Sequence, residues 1–216
     1  MSTTWHKEMR NKNREEIIKA AQKLLLEKDF SEVKMKDICE IAGVSRVTFY
    51  KYFSTLDDIA FEVQMKVIDE MVEYINKQTV ARGNGLEKLE SLLHIWLKFT
   101  FENPNHIKYI GFFDHYYNNN FPNEDLAERY REFVMEGRRG RNILMDMYLK
   151  EGMEDGSIRS DIDPEKVGFT IFETTISLLQ RLVTRGEVLK KEHDLDFNEI
   201  MNTVFAMVLQ YVKKEK

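Results

Sequence analysis

Across its 216 residues the chain has one cysteine and three prolines. The lone Cys39 excludes an internal disulfide framework and any metal site built from several thiolates, and it suits a reducing cytoplasm. So few prolines, with ten glycines, leave long stretches free to coil into helix and argue against a linker-rich or disordered chain. No run of about 18 apolar residues occurs, and the opening MSTTWHKEMRNKNREE lacks the apolar centre of a secretory signal. The protein is therefore expected to be cytoplasmic, neither secreted nor spanning a membrane. Also missing are strand-like alternation, internal repeats, a phosphate-cradling glycine loop, an HExxH and any Ser/His/Asp grouping, so neither an enzyme nor a cofactor is expected. His94, His106 and the Asp114-His115 pair are read as polar helix residues rather than metal ligands.

What is present is an ordinary globular composition, 43% hydrophobic and 32% charged, with a net charge of −5 that opposes indiscriminate nucleic-acid binding. The charge is uneven. Residues 1–53 carry 11 Lys and Arg against 8 Asp and Glu, whereas the remainder carries 21 against 29. The basic end of the chain is its front.

Apolar residues at three-and-four spacing mark the helices. Ile17, Ala20, Ala21, Leu24 and Leu25 predict a first helix over Glu8 to Lys28; Met35, Ile38, Cys39 and Ala42 predict a second of barely two turns. Gly43-Val44-Ser45 then joins a residue that tolerates positive φ to a serine able to cap the next helix, which is expected from Arg46 to Tyr52. Ser54 and Thr55, each followed three residues on by an aspartate, open a long fourth helix. A fifth runs from Leu86 to Glu102, where Asn103-Pro104 breaks it, and a sixth, strongly aromatic, from His106 to Tyr117. Asn123 caps a seventh to about Gly152. Asp163-Pro164 starts an eighth, to about Arg185, that is apolar almost all round, and Asp196 with Glu199 boxes the start of a ninth. The fold class is all-α: a three-helix domain over 1–53 and a larger helical domain over 54–216.

A short helix, a three-residue glycine turn and a second short helix form the arrangement that lets one helix brace across a DNA backbone while the next enters the major groove. By spacing alone the same residues also fit an ordinary helical hairpin. The string I41-A-G-V-S-R-V-T-F-Y-K-Y-F53, with R14-E-E-I-I-K-A-A-Q-K-L24 and Phe30, resembles the DNA-binding domain of the TetR family of repressors. That resemblance covers about the first quarter of the chain. It implies that Ser45 caps the recognition helix, that Arg46, Val47 and Thr48 face base edges or nearby phosphates, and that Tyr50 and Tyr52, with Lys51 beside them, contact phosphates. The residue types suit those tasks: an arginine can fork onto guanine, valine and threonine methyls can touch thymine, and tyrosine hydroxyls can bond phosphate oxygens. Val47 and Tyr50 also suit packing within the domain.

Three positions depart from the family pattern. Lys34 stands where a hydroxyl residue usually opens the second helix and can itself reach a phosphate; Leu56 replaces a common lysine, losing such a contact; Asp29 replaces a glycine before Phe30. Lys7, Arg10, Lys12 and Arg14 add further cations, and Arg138, Arg139 and Arg141 make a basic cluster best read as a solvated helix face.

One helix-turn-helix reads too few base pairs for useful specificity, so the expected state is a homodimer on double-stranded operator DNA, with recognition helices about 34 to 36 Å apart. The eighth and ninth helices are the expected dimer surface, as half of a four-helix bundle. Trp96, Phe99, Phe112, Phe113, Tyr116, Phe133 and Phe172 are the candidate lining of a pocket for a small hydrophobic or aromatic effector, although aromatic residues at helical spacing are equally the stuff of plain core. The expected function is a transcriptional repressor released from a palindromic operator by that effector. An adaptor acting through a protein partner, with no small-molecule effector, is the alternative. In a third reading the front hairpin is only structural.

Overall fold

The computed structural model describes residues 2–79, 82–117 and 121–215, and the side chains of all these except 2–11 and 137–143. The side chains of Lys7, Arg10, Arg138, Arg139 and Arg141 lie outside the described residues. Among the described residues the regular elements are α1 (Ser2–Glu27), a 3-10 turn (Phe30–Glu32), α2 (Met35–Ala42), α3 (Arg46–Phe49), α4 (Leu56–Gln78), α5 (Gly85–Glu102), α6 (Pro104–Tyr116), α7 (Glu124–Asp155), α8 (Pro164–His193) and α9 (Phe197–Val212). The only extended pairing among them is an isolated bridge between Ile158 and Lys213. The all-α expectation holds.

α1 begins earlier than the sequence reading, at Ser2, and three further boundaries differ from it for a local reason. α3 stops at Phe49 because the amides of Lys51 and Tyr52 bond the carbonyls three residues back, Thr48 and Phe49, which tightens the last turn. Pro104 opens α6 rather than leaving a gap after α5: its missing amide costs nothing in a first turn, and the His106 amide bonds the Asn103 carbonyl. α8 continues to His193, since nothing after Arg185 breaks it until Asp194 turns left-handed (φ 55°) and donates its amide to the Lys190 carbonyl.

The chain divides into two compact units. The first runs to Ile68 and takes in Phe112–Arg131; the second comprises Asp69–Gly111 and Glu132 onward.

In the first unit Ile17 and Ala21 of α1, Ile38 of α2 and Phe49 of α3 are wholly buried and form one small core. Phe61 of α4 meets Phe113, Tyr117, Phe121 and Tyr130, with ring centroids 4.8 to 5.7 Å apart. Each such pair adds about 0.5 to 1.5 kcal/mol beyond area burial. Polar links fasten the same segments: Tyr117 donates to Asp57 Oδ1 at 2.6 Å, and Glu62 accepts from both Arg14 and Arg129 at 2.7 Å. Thr55 Oγ1 accepts the Asp58 amide while Asp58 Oδ2 accepts those of Ser54 and Thr55, closing the expected box at the start of α4.

In the second unit Leu89, Leu92 and Leu93 of α5 and Met201 and Phe205 of α9 are buried. The start of α5 is held on α7 by backbone contact: a Cβ on Gly85 would lie 2.1 Å from the Gly152 nitrogen. There the Gly85 amide donates to Asp155 Oδ2 and the Leu86 amide to Ser157 Oγ. Hydrogen bonds from Ser157 and from Gly85 hold the Asp155 carboxyl below the usual aspartate range. Gly85→Ala has to push the α5 and α7 backbones apart, so it is expected to lower unfolding free energy by about 3 kcal/mol or more, read from urea denaturation.

Candidate functional site

Four elements of the first unit place the sequence-derived DNA-contact residues. α2 ends at Gly43, whose left-handed backbone (φ 64°) turns the chain; its amide bonds the last carbonyls of α2, and the Val44 amide bonds Cys39. Any other residue there would pay about 1 to 2 kcal/mol for that conformation. Cys39 is buried beside the turn, and burial pushes its thiol up from the ordinary range, so it acts as a small packing group. Ser45 caps α3: its Oγ accepts the Thr48 amide at 3.0 Å and lies 3.0 Å from Thr48 Oγ1.

One turn of helix then has two sharply different faces. Phe49 points wholly inward, while Arg46, Val47, Tyr50 and Lys51 are exposed and Thr48 and Tyr52 half-buried. Val47 is 70% exposed and Tyr50 56%, on a helix whose other outward groups are cationic. Arg46, Lys51 and the exposed Lys34, just before α2, make no ion pair among the described residues, so their charges are uncommitted. Arg14 differs: it is paired to Glu62 at 2.7 Å and sits over the Phe53 ring at 5.6 Å. Leu56, the first residue of α4, is half-buried.

Of the seven aromatic residues named for an effector pocket, four lie in the second unit and three in the first. In the second unit Trp96 stands edge-on to Phe172 at 5.3 Å, and with Phe99, Met71, Ile107 and Leu179 they enclose a cavity of about 10 Å³, the room of about one water. In the first unit Phe112 stacks with Tyr116 at 5.6 Å and with Phe30 at 5.7 Å, Tyr116 lies tilted against Phe30 at 5.2 Å, and Phe113 packs on Phe61 at 4.9 Å. Phe133 is half-buried in the second unit and does not line the cavity.

The sequence reading passed over several buried polar groups. Gln64 and Thr175 are fully buried, and Oδ1 of Asp146 is buried against α8, where a Cβ on Gly168 would come within 2.5 Å of it. Burial raises the Asp146 carboxyl above its ordinary range, with Lys150 opposing. The signal available was a polar residue within an apolar row, as where Gln64 falls between Ala60 and Ile68. A broken pattern does not say what fills the break.

A short bracing helix, a left-handed glycine and a capped second helix with an outward cationic face define this unit as a helix-turn-helix. Comparison with known proteins is specific on the same residues. Residues 17–63 match the family model for bacterial regulatory proteins of the tetR family. The HTH-type transcriptional regulator AlkX of Mycobacterium tuberculosis is 29% identical over 75 residues, 34% of this chain and 36% of that protein. The HTH-type transcriptional repressor KstR2 of the same species is 23% identical over 167 residues, 76% of this chain and 78% of that one. Among solved structures, the transcriptional regulator FadR from Bacillus subtilis in complex with stearoyl-CoA matches with a TM-score of 0.65 at 19% identity, covering 91% of this chain and 98% of that chain. Residues 17–63 are thus similar to the helix-turn-helix region of bacterial regulatory proteins of the tetR family, and the relatives named here are regulators rather than enzymes.

Proposed function

We propose that this chain is a repressor which holds a palindromic operator as a homodimer and is released by a small hydrophobic effector. Residues 1–53 are assigned to DNA binding and 54–216 to effector binding and dimerisation. The observation that carries the reading is the outward face of α3 and the turn that follows it, where Arg46, Val47, Tyr50 and Lys51 are displayed while Phe49 anchors the helix from behind. In the assignment Arg46 and Val47 address base edges, Thr48 either an edge or a phosphate, and Lys34, Tyr50, Lys51 and Tyr52 the phosphates, with Ser45 fixing the helix start.

Dimerisation is assigned to α8 and α9. Their apolar side chains Phe169, Val188, Met207 and Tyr211 remain exposed in the single chain, and an open groove of about 700 Å³ runs between the two helices. The effector reading rests on the apolar lining of the second unit's cavity and on a fold neighbour that holds stearoyl-CoA. An effector of hydrophobic character fits a lining of this kind.

Linkage supplies the test. If effector and operator favour different forms of the dimer, effector affinity must fall on adding operator by the factor by which operator affinity falls on adding effector. Titrating a hydrophobic inducer with and without a selected operator fragment is expected to show a shift of about five-fold or more; equal affinities would remove induction and leave DNA binding standing. The small closed cavity favours the second reading, an adaptor that works through a protein partner. On that reading, hydrophobic compounds leave the melting temperature unchanged while a partner protein raises it.

A further inference from the structure

Among the described residues no large apolar side chain is more exposed than Val47, at 70%. A single exposed valine needs no partner on its own account. This one stands in α3 between Arg46 and Thr48, and the exposed Arg46 and Lys51 near it make no ion pair among the described residues. Free cations of this kind draw a phosphate backbone in, and whatever base edge then meets Val47 has to accept an isopropyl group.

The residues beside it narrow how this turn can read a base. Ser45 Oγ accepts the Thr48 amide at 3.0 Å and lies 3.0 Å from Thr48 Oγ1, so the two hydroxyls are engaged with each other and with the backbone. Phe49 is wholly buried. Of the four residues of α3, Arg46 offers a polar head with no partner among the described residues, and Val47 offers exposed carbon.

In the major groove the bases differ in what they show such a group. Guanine, adenine and cytosine present nitrogens and oxygens that hold water, and an isopropyl group pressed on them removes that water and returns no hydrogen bond. Thymine also presents a methyl group at C5. Carbon packed on that methyl strips no polar atom, and a methyl group taken out of water is worth about four-fold in affinity.

We infer that Val47 selects a 5-methylpyrimidine, thymine in ordinary DNA, at one position of each half-site by packing its isopropyl group on the C5 methyl. The inference rests on the DNA-binding reading above and deepens it: Arg46 sets one base through hydrogen bonds, and Val47 sets another through a methyl group. It follows that 5-methylcytosine at that position restores a contact that cytosine lacks.

The test uses the full-length protein and duplexes of a fragment selected from genomic DNA. Each thymine is replaced in turn, at matching positions of both half-sites, by deoxyuridine, whose base differs from thymine only in lacking the C5 methyl. At one position the wild type is expected to lose about fifteen-fold in affinity, the product of about four-fold from each half-site. Val47→Ala should lose less than about two-fold there, and its melting curve should match the parent's, since Val47 is exposed and Phe49 holds the helix. At the same position the wild type should bind 5-methylcytosine paired with guanine more tightly than cytosine paired with guanine, again by about fifteen-fold. That comparison needs no variant. Deoxyuridine without cost at every position, a cost that persists in Val47→Ala, or equal binding of the methylated and unmethylated cytosine duplexes overturns the inference and leaves DNA binding standing. Failure of the wild type to enrich any fragment overturns the DNA-binding reading as well.

Discussion

Met207→Asp with Tyr211→Asp is expected to turn the protein monomeric and to weaken operator binding by about a hundred-fold or more. Both residues lie on one stripe of α9, and both are exposed in the single chain, Met207 to 68% and Tyr211 to 56%. In the proposed dimer each would be buried against its symmetry mate, so the double variant would place four carboxylates in a dehydrated interface whose neighbouring Arg159 is already paired with Asp161. The fold of the single chain should survive. Tyr211 contributes only a surface contact beneath Arg159, 5.8 Å from its ring, whereas the α9 core is built from Met201, Phe205 and Val212 on another face. Losing the dimer converts the second half-site contact from an intramolecular event into an independent one, and tethering of this kind is worth roughly 10² to 10⁴ in affinity. Sedimentation equilibrium checks the change of oligomeric state, and a titration of operator fragment checks the loss of affinity. A variant that stays dimeric with an unaltered melting curve would move the interface away from α8 and α9.

The second large effect falls on α3. Arg46→Ala combined with Tyr50→Ala should weaken operator binding by about a hundred-fold while leaving the unfolding free energy within about 1 kcal/mol of the parent. Losing a guanidinium that forks onto a base edge removes about 1 to 3 kcal/mol, and losing a hydroxyl that bonds a phosphate removes about 1 kcal/mol more. Neither side chain supports the fold to that degree. Arg46 is exposed and makes no ion pair among the described residues, and Tyr50 is 56% exposed with one edge-on contact to Phe49. The two single variants should also separate by role. Arg46→Ala should relax discrimination at one base position, whereas Tyr50→Ala should weaken specific and non-specific fragments alike. Equal operator affinity in the double variant, with the fold retained, would mean that the hairpin is structural only.

Much of this was legible in the sequence because the information is local. Gly43, Ser45 and Asp163-Pro164 act through their own backbone geometry, and each does in the structure what its residue type allows. The capping boxes at Thr55 and Asp196 and the cap from Asn123 are likewise settled within four residues. Phe49 could be read as inward from its place on the side of the helix away from Val47. What the sequence hid are contacts between segments far apart in the chain. The backbone touch of Gly85 on Gly152 depends on how two helices cross, and either glycine could equally have been a turn residue. Glu62 gives no sign of bridging arginines on α1 and α7, because a charged residue on a helix looks solvated until its neighbours are known. The aromatic set is the clearest case. Periodicity placed Phe112, Phe113 and Tyr116 on one helix with apolar character, but only the fold shows that they pack with Phe30 and Phe61 while Trp96, Phe99 and Phe172 enclose the cavity.

Selection of bound fragments from genomic DNA, followed by footprinting of the enriched sequence, tests the central claim most directly. The account predicts an inverted repeat protected in two major-groove patches on one face of the duplex, with centres about 10 base pairs apart or a multiple of it, and protection lost when Arg46→Ala is combined with Tyr50→Ala. No enrichment over competitor DNA at moderate salt, or a single protected patch without a symmetric mate, would contradict it.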